Sequence, residues 1–438
     1  MEHKISPAQW LALSFFTVIM AGSLLLFLPG ASANGHTSYI DCLFVATSAT
    51  CVTGLVTVDT ATNWTLGGQI IILLLIQVGG LGVMAFAVVF AMLLGQKIQL
   101  RQRLVMQQAM NLSEVGGVVK VFRYLLAFTF AVEALGAVLL MLLWGAELGW
   151  GKALWYGVFH SISAFNNAGI DLMGGFRSLT GYTANIGVNL VISTLIIIGG
   201  LGFYVNYELY HYRQTRGLSL HSRVVLLMTA ILIVAATLLL FIGEYNHALK
   251  GLPLGTKILA AYFQGVVPRT AGFNTIDLNS LFLSSQLIII ILMFIGASPG
   301  STGGGIKTST FAILLLAIYS QLRGKRDIEL FERRLESNDI MQAFTLSIMA
   351  VFTVIIMVIL LSLTYEAQLH KIIFEVVSAF GTVGLTLGLT TQLSPLAKIL
   401  IIITMFLGRV GPLTLGFALA YRQKQPEIRY AKGKIMIG

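Results

Sequence analysis

The chain has 438 residues, of which 56% are hydrophobic and 11% are charged, and its mean hydropathy is +0.85. These values exclude a soluble domain with a single anchor and indicate a polytopic, all-α membrane protein. The formal net charge of +10 would suggest a nucleic-acid partner in a soluble chain, but these cations cluster in loops, so we attribute them to membrane topology and expect no nucleic acid.

Eight apolar segments are predicted to cross the bilayer, and the first is interpreted as a retained helix rather than a signal peptide. They cover residues 10–29, 66–94, 120–144, 184–210, 222–243, 283–319, 341–363 and 395–421. Shorter, half-apolar stretches alternate with them at 39–50, 153–165, 256–267 and 370–380. Because these stretches are too short to span, they are predicted to be four re-entrant half-helices.

Each short stretch ends in a glycine, which makes it part of an internal repeat. The glycines are Gly54, Gly169, Gly272 and Gly384, and an aromatic residue lies ten positions before each of them. Ser-Ala lies six and five positions before the glycine in three of the four. The sequence thus predicts four tandem units of span, pore loop and span around a central pore with pseudo-fourfold symmetry. The predicted units cover residues 1–95, 96–215, 216–325 and 326–421, and a basic tail follows at 422–438.

The distribution of lysine and arginine predicts the orientation. With both termini on one side, that side carries nineteen of these residues and the other side carries seven, Arg269 among them, while Lys307 and Arg409 are set aside as lying within spans. The positive-inside rule then places both termini of a multi-pass plasma-membrane protein in the cytoplasm, so the short stretches enter from outside.

The four loops have the features of a cation filter. Half-helices that converge on an axis aim the negative ends of their dipoles at the membrane interior. The backbone that follows could ring the axis with carbonyl oxygens that replace the water shell of a potassium ion. We assign the filter to Val52, Thr53, Gly54, Asn167, Ala168, Gly169, Thr270, Ala271, Gly272, Thr382, Val383 and Gly384. These triplets contain no carboxylate, which favours a monovalent cation over calcium. Asp171 either attracts cations to the mouth or forms a turn.

The sixth span is interrupted by glycines, a proline and a lysine at 296–307, which is tolerated at membrane depth only beside protein or water. Arg409 lies at a matching depth in the last span. We predict an intramembrane gate in which this loop plugs the pore and the arginine holds it or repels cations, with a purely structural clamp as the alternative. Lys307 joins the gate or snorkels to the cytoplasmic interface. The gate residues are Gly296, Ser298, Pro299, Gly300, Ser301, Thr302, Gly303, Gly304, Gly305, Lys307 and Arg409.

Glycines in the second spans of units one and two are attributed instead to close helix packing. They form the motif Gly-Gly-Leu-Gly at 79–82 and again at 199–202. Small residues of this kind let neighbouring backbones approach one another closely.

Three motifs are specific enough to indicate a family: Ala49-Thr50-Cys51-Val52-Thr53-Gly54-Leu55, Arg269-Thr270-Ala271-Gly272-Phe273-Asn274 and Gly300-Ser301-Thr302-Gly303-Gly304-Gly305-Ile306-Lys307-Thr308. With the repeats, they resemble the Trk/Ktr/HKT superfamily of potassium transporters across essentially the whole chain, most closely its KtrB type of membrane subunit. The third motif is similar to the gating loop of that family. A glycine in all four loops accompanies potassium preference there, so the resemblance implies potassium uptake.

The resemblance further implies a homodimer on a cytoplasmic ring of nucleotide-binding KtrA-type subunits, with sodium-stimulated uptake or symport. The chain itself is expected to bind no nucleotide, because its glycine-rich loop follows a membrane span rather than a strand. The basic loops and tail are candidates for docking the ring and for contacts with anionic membrane lipids.

Two alternatives remain open from the residues. One is a sodium or non-selective monovalent cation conductor of the same fold. The other is an intramembrane enzyme, which would need a nucleophile and a base at helical spacing. Instead, Glu133, His160 and Glu375 are interpreted as buried, hydrogen-bonded residues, and no enzyme activity is expected. Cys42 and Cys51 match neither a disulfide framework nor a metal site.

Overall fold

The computed structural model describes residues 7–82, 118–325 and 327–411, and most of them are helical. The helices are α1 (Pro7–Phe27), α2 (Tyr39–Cys51), α3 (Thr60–Asn63), α4 (Leu66–Leu81), α5 (Val118–Leu148), α6 (Trp150–Phe165), α7 (Ile186–Leu201), α8 (Phe203–Thr215), α9 (Leu220–Glu244), α10 (Leu254–Val266), α11 (Leu283–Phe294), α12 (Thr308–Leu322), α13 (Ser337–Thr364), α14 (Leu369–Gly381) and α15 (Pro395–Val410). Three 3₁₀ turns lie at Thr180–Tyr182, Leu278–Ser280 and Thr390–Gln392, and strands β1 (Glu329–Leu330) and β2 (Arg333–Arg334) form a short antiparallel hairpin.

Four described helices are long and apolar enough to cross a membrane: Gln9–Phe27, Tyr124–Leu148, Leu220–Glu244 and Ser337–Thr364. A fifth span results if α7 and α8 count as one bent element. Large apolar side chains on these helices are exposed, as side chains that face lipid would be. The count of eight spans stays a prediction, partly because residues 83–94 and 412–421 of two predicted spans lie outside the described residues, as does the basic tail.

The four short helices predicted from the repeats are present as α2, α6, α10 and α14. Each of them ends in a largely buried stretch, and Phe44, Phe159 and Phe374 are fully buried near their middles. Contacts between units run in a closed circle, since α4 packs on α6, α7 on α10, α11 on α14 and α15 on α2. This circle brings the C-terminal ends of the four short helices to one place.

The segment predicted as a span at 184–210 is not one straight helix. Helix α7 ends at Leu201, and α8 leaves it at an angle of 99° after Gly202. The φ angle of Gly202 is 95°, which L side chains rarely adopt, so the third glycine of the motif is where the helix breaks. Gly82 and Gly411 have φ angles of 88° and 89° and end α4 and α15 in the same conformation.

Close packing through small residues is confirmed for Gly79 and Gly199 of units one and two, and Gly408 of unit four makes the same approach. A Cβ atom at Gly79, Gly199 or Gly408 would collide with a backbone carbonyl oxygen of the short helix in the same unit. The oxygens belong to Thr50, Phe165 and Phe380 respectively. Only glycine allows this approach, which fixes the end of each short helix against the helix that follows it.

Arg269, which the charge count assigned to the external side, is a buried residue. It is 6% exposed, and its Nη2 donates to Thr229 Oγ1 of α9 at 3.3 Å. Tertiary contacts bury it beside the end of the third short helix.

Candidate ion pathway

The short helices α2, α6 and α14 end with the same backbone geometry. Val52, Asn167 and Thr382 follow them with φ angles of 57°, 58° and 50°. The N–H of the next residue then donates to a carbonyl of the last helical turn, at 2.7, 2.7 and 2.9 Å. Positive φ is strained for these side chains, and most of all for the β-branched valine and threonine. The third unit ends differently, with Thr270 at a φ angle of 77° and Ala271 bonded to the Val267 carbonyl at 3.0 Å.

The serine of the Ser-Ala motif bonds the loop that follows it, a role that the sequence pattern does not show. Ser48 Oγ accepts the Gly54 N–H at 3.0 Å, and Ser378 Oγ accepts the Gly384 N–H at 3.2 Å. Ser163 Oγ instead donates to the Ile170 carbonyl at 2.7 Å. The third unit has no serine at this position, which agrees with its different helix end.

The four loop glycines form a closed ring. A Cβ atom built on each of them would come within 2.6 Å or less of the carbonyl oxygen that precedes the glycine of the next loop. In chain order these oxygens belong to Ala168, Ala271, Val383 and, closing the circle, Thr53. All twelve residues assigned to the filter are buried. The ring therefore has room for no side chain at the glycines, and it brings four backbone carbonyls together.

The loop at 296–307 folds into a compact unit. Ile295 and Ile306 pair as an isolated parallel bridge at its base, and the hydroxyl groups of Ser298 and Thr308 lie 3.0 Å apart inside it. The loop is bonded to the break between α7 and α8, since the Ser298 N–H donates to the Gly200 carbonyl at 3.1 Å. The Phe203 N–H in turn donates to the Gly300 carbonyl at 2.9 Å.

The loop at 296–307 also contacts two of the loops that are candidates for the filter. The Gly304 N–H donates to Thr382 Oγ1 at 2.9 Å, and a Cβ atom at Gly303 would collide with Thr270 Oγ1. The Asn167 side-chain amide is hydrogen-bonded to the same Thr270 hydroxyl at 3.0 Å. The loop thus lies directly against the first residues of the third and fourth triplets.

Two cationic side chains donate hydrogen bonds to consecutive carbonyls of this loop. Arg409 donates through one Nη to the Thr302 carbonyl and through the other to the Gly79 carbonyl. Lys307 Nζ donates to the Gly303 carbonyl at 2.6 Å, which favours a place in the loop over snorkelling. In the described part of the chain, neither forms an ion pair with a carboxylate. The loop therefore carries positive charge beside the ring.

Asp171 lies just beyond the second filter glycine and forms a turn, since its Oδ1 accepts the Met173 N–H at 2.8 Å. Burial raises the pKa of Asp171 to about 6, and the nearby Asp59 carboxylate raises it further, against the Met173 hydrogen bond. The turn role is confirmed by this contact, and attraction of cations remains a prediction.

The buried carboxylates and the histidine are hydrogen-bonded, as the sequence predicted. Glu133 accepts from Gln77 Nε2 at 3.2 Å and from Asn166 Nδ2 at 2.9 Å, directly before the second filter triplet. Both cysteines are free, and the residues that the structure describes contain no cluster of three or more His, Cys, Asp or Glu side chains that could hold a metal ion.

Comparison with known proteins gives one consistent result. The family model "TrkH: Cation transport protein" matches residues 7–429. The chain is 42% identical to Ktr system potassium uptake protein B of Bacillus subtilis, with 99% of this chain and 97% of that protein aligned. It is 39% identical to the potassium/sodium uptake protein NtpJ of Enterococcus hirae, with 100% and 98% aligned. The crystal structure of the potassium transporter TrkH from Vibrio parahaemolyticus matches with a TM-score of 0.75 at 19% identity, covering 96% of this chain and 86% of that one.

Proposed function

The chain belongs to the TrkH family of cation transport proteins, and we propose that it is the ion-translocating subunit of a Ktr-type potassium uptake system. The family is one of multi-pass transporters rather than enzymes. The observation that carries the proposal is the closed ring of four glycine loops, in which each glycine borders the carbonyl that precedes the next.

Potassium is the proposed ion because the ring offers backbone oxygens and no carboxylate. Carbonyl dipoles can replace the water shell of a monovalent cation, whereas a calcium site needs several acidic ligands. The candidate filter is the set of twelve residues in the four triplets, which are all buried. Uptake would be driven inward by a negative-inside membrane potential, because a cation releases free energy when it moves to the negative side.

The gate in this proposal is the loop at 296–307 together with Arg409. The loop borders Thr270 and Thr382 at the start of two filter triplets, so it would obstruct ions that leave the ring. Lys307 and Arg409 add positive charge at that position, which would repel a cation as long as the loop stays in place. Opening then requires that the two carbonyl contacts of Arg409 break.

The rest of the arrangement follows from the same membership. We place four span, pore-loop and span units around the ring, with eight spans and both termini in the cytoplasm. The relative in Bacillus subtilis is named as one protein of a Ktr system, which implies a partner. A homodimer on a cytoplasmic nucleotide-binding ring, with sodium-dependent uptake, is the assembly that we propose.

A sodium or less selective conductor is the second candidate function. It is favoured by the 39% identity to a protein named as a potassium/sodium uptake protein over the whole chain. Both candidates share the same ring, so they differ only in the ion that the ring prefers.

The test is cation flux into liposomes that contain the purified chain, with potassium, rubidium, sodium and lithium compared in the wild type and in the variant Arg409→Ala. Potassium- and rubidium-selective flux that rises in the variant is the expected result. Equal sodium flux would support the second candidate. No flux of any ion in either form, with a partner ring added, would refute both.

A further inference from the structure

The position nine residues before the filter glycine differs among the four loops. It is occupied by Val45, His160, Phe263 and Glu375 in units one to four. All four side chains are fully buried behind the loops. Because the loops follow one another around the ring in chain order, the two polar side chains belong to loops on opposite sides of the axis.

Glu375 connects the fourth short helix to the backbone that follows its filter. Its Oε2 accepts the Thr386 hydroxyl at 2.7 Å, and its Oε1 accepts the Thr390 hydroxyl. The two hydroxyl groups lie 3.1 Å apart, and Thr386 Oγ1 also accepts the Gly388 N–H at 3.1 Å. The carboxyl group thus holds residues 386–390, the segment that follows Gly384 in the chain, against the fourth short helix.

His160 makes the corresponding connection in the second loop. Its Nδ1 donates to the Tyr156 carbonyl at 2.7 Å, which leaves Nε2 as the acceptor for the Leu172 N–H at 3.3 Å. This tautomer uses both ring nitrogens in a fully buried site. The ring also lies 6.3 Å from the ring of Phe273, the residue after the third filter glycine.

Val45 and Phe263 cannot form such hydrogen bonds, and the first and third loops are held from outside. The segment after the second loop braces both of them. Its Gly175 N–H donates to the Asp59 carboxylate of unit one, and its Ser178 Oγ accepts the Asn274 N–H of unit three at 3.2 Å. The segment bonded by His160 therefore supports the first and third loops. The fourth loop is stabilised by Glu375.

We propose that Glu375 and His160 are positioning residues that set the ion preference of the ring by fastening its outer half. This inference rests on the proposed filter function. A carbonyl ring distinguishes ions by cavity size or by the number of dipoles it holds in place, and both depend on the backbone being fixed. Hydrogen bonds from the surrounding side chains provide that precision.

The test compares potassium and sodium flux in liposomes for variants that are monodisperse and still unfold in one cooperative thermal transition. Glu375→Val, which copies the residue type of unit one, removes both hydrogen bonds and should lower the potassium-to-sodium flux ratio by at least about fivefold, the factor that one net hydrogen bond is worth. Glu375→Gln keeps an acceptor oxygen and should retain most of the ratio. This rescue separates positioning from a loss of folded protein, which would lower both fluxes together.

A second set of variants acts from the other side of the same contact. Thr390→Val removes one donor to Glu375 and should lower the ratio even if Glu375→Val does not fold. Thr391→Val, at the exposed neighbouring threonine, is the matched control and should leave the ratio unchanged. A wild-type ratio in both Glu375→Val and Thr390→Val would overturn the inference. A wild type without potassium preference would instead refute the proposed function on which the inference rests.

Discussion

Replacing Arg409 by methionine tests whether its carbonyl contacts keep the gate closed. The guanidinium bridges Thr302 in the loop and Gly79 in the first unit, which are far apart in the chain. A hydrogen bond from a charged donor contributes about 1.5–3 kcal/mol. The sum of two such bonds is the upper limit of what Arg409 contributes to the stability of the closed gate. Because Arg409 is only half-buried, we discount the sum to about 2–3 kcal/mol of closed-state stability. This corresponds to a roughly 30- to 140-fold rise in the ratio of open to closed molecules.

The assay is potassium flux into liposomes at matched protein content, with thermal unfolding as the check on folding. Arg409→Lys is the informative control, because a lysine keeps the charge but cannot bridge two carbonyls in the same way. If the contacts hold the gate, the lysine variant should also conduct more than the wild type. If the charge alone repels cations, it should match the wild type. Unchanged flux in folded Arg409→Met would refute both roles and leave a purely structural clamp.

Three further outcomes are expected. Gly54→Ser should weaken potassium discrimination in flux measurements, since a side chain at a φ angle of 95° is strained and would collide with the Ala168 carbonyl; an unchanged ratio would contradict the filter assignment. Gly199→Ala should lower the free energy of unfolding by about 1–3 kcal/mol, because its Cβ atom would collide with the Phe165 carbonyl oxygen. Gly181→Ala is the control and should leave thermal unfolding unchanged, because no atom lies near a Cβ there. If Asp171 attracts cations, the potassium concentration at half-maximal flux should rise as the pH falls through about 6, where its raised pKa makes it neutral, and Asp171→Asn should abolish this dependence.

The short helices could be predicted from the sequence because four copies of one pattern support each other. Their predicted bounds agree with the structure within a few residues, as with 370–380 against Leu369–Gly381. The same repetition located the glycines that form the ring. The membrane restricts the choice further, because a half-apolar stretch that is too short to cross the bilayer can be accommodated in few ways other than a re-entrant helix.

The breaks at Gly82, Gly202 and Gly411 could not be predicted, unlike the interruption at 296–307, because two different demands select glycine. In the motif at 199–202, Gly199 is needed for close approach to a carbonyl and Gly202 for its positive φ angle. The composition is the same for either demand, so the sequence alone suggested packing. The bond between Gly304 and Thr382 was equally hidden, since it joins units three and four through tertiary contact alone.

The four loops belong to one repeat, but the contacts of their surroundings differ. On the side of the ring where the chain continues after the loop glycines, the segment after the second loop contacts the first and third loops through Gly175 and Ser178. On the other side of the ring, the break after α7 bonds the gate loop through Gly200 and Phe203. The second unit thus supports the candidate filter on one side and contacts the candidate gate loop on the other. The fourth unit contributes Arg409, which is bonded to that loop. Because the side chains of the four repeats have diverged, different residues stabilise the carbonyl ring and the candidate gate loop. The variants at Glu375 and at Arg409 test these two roles separately.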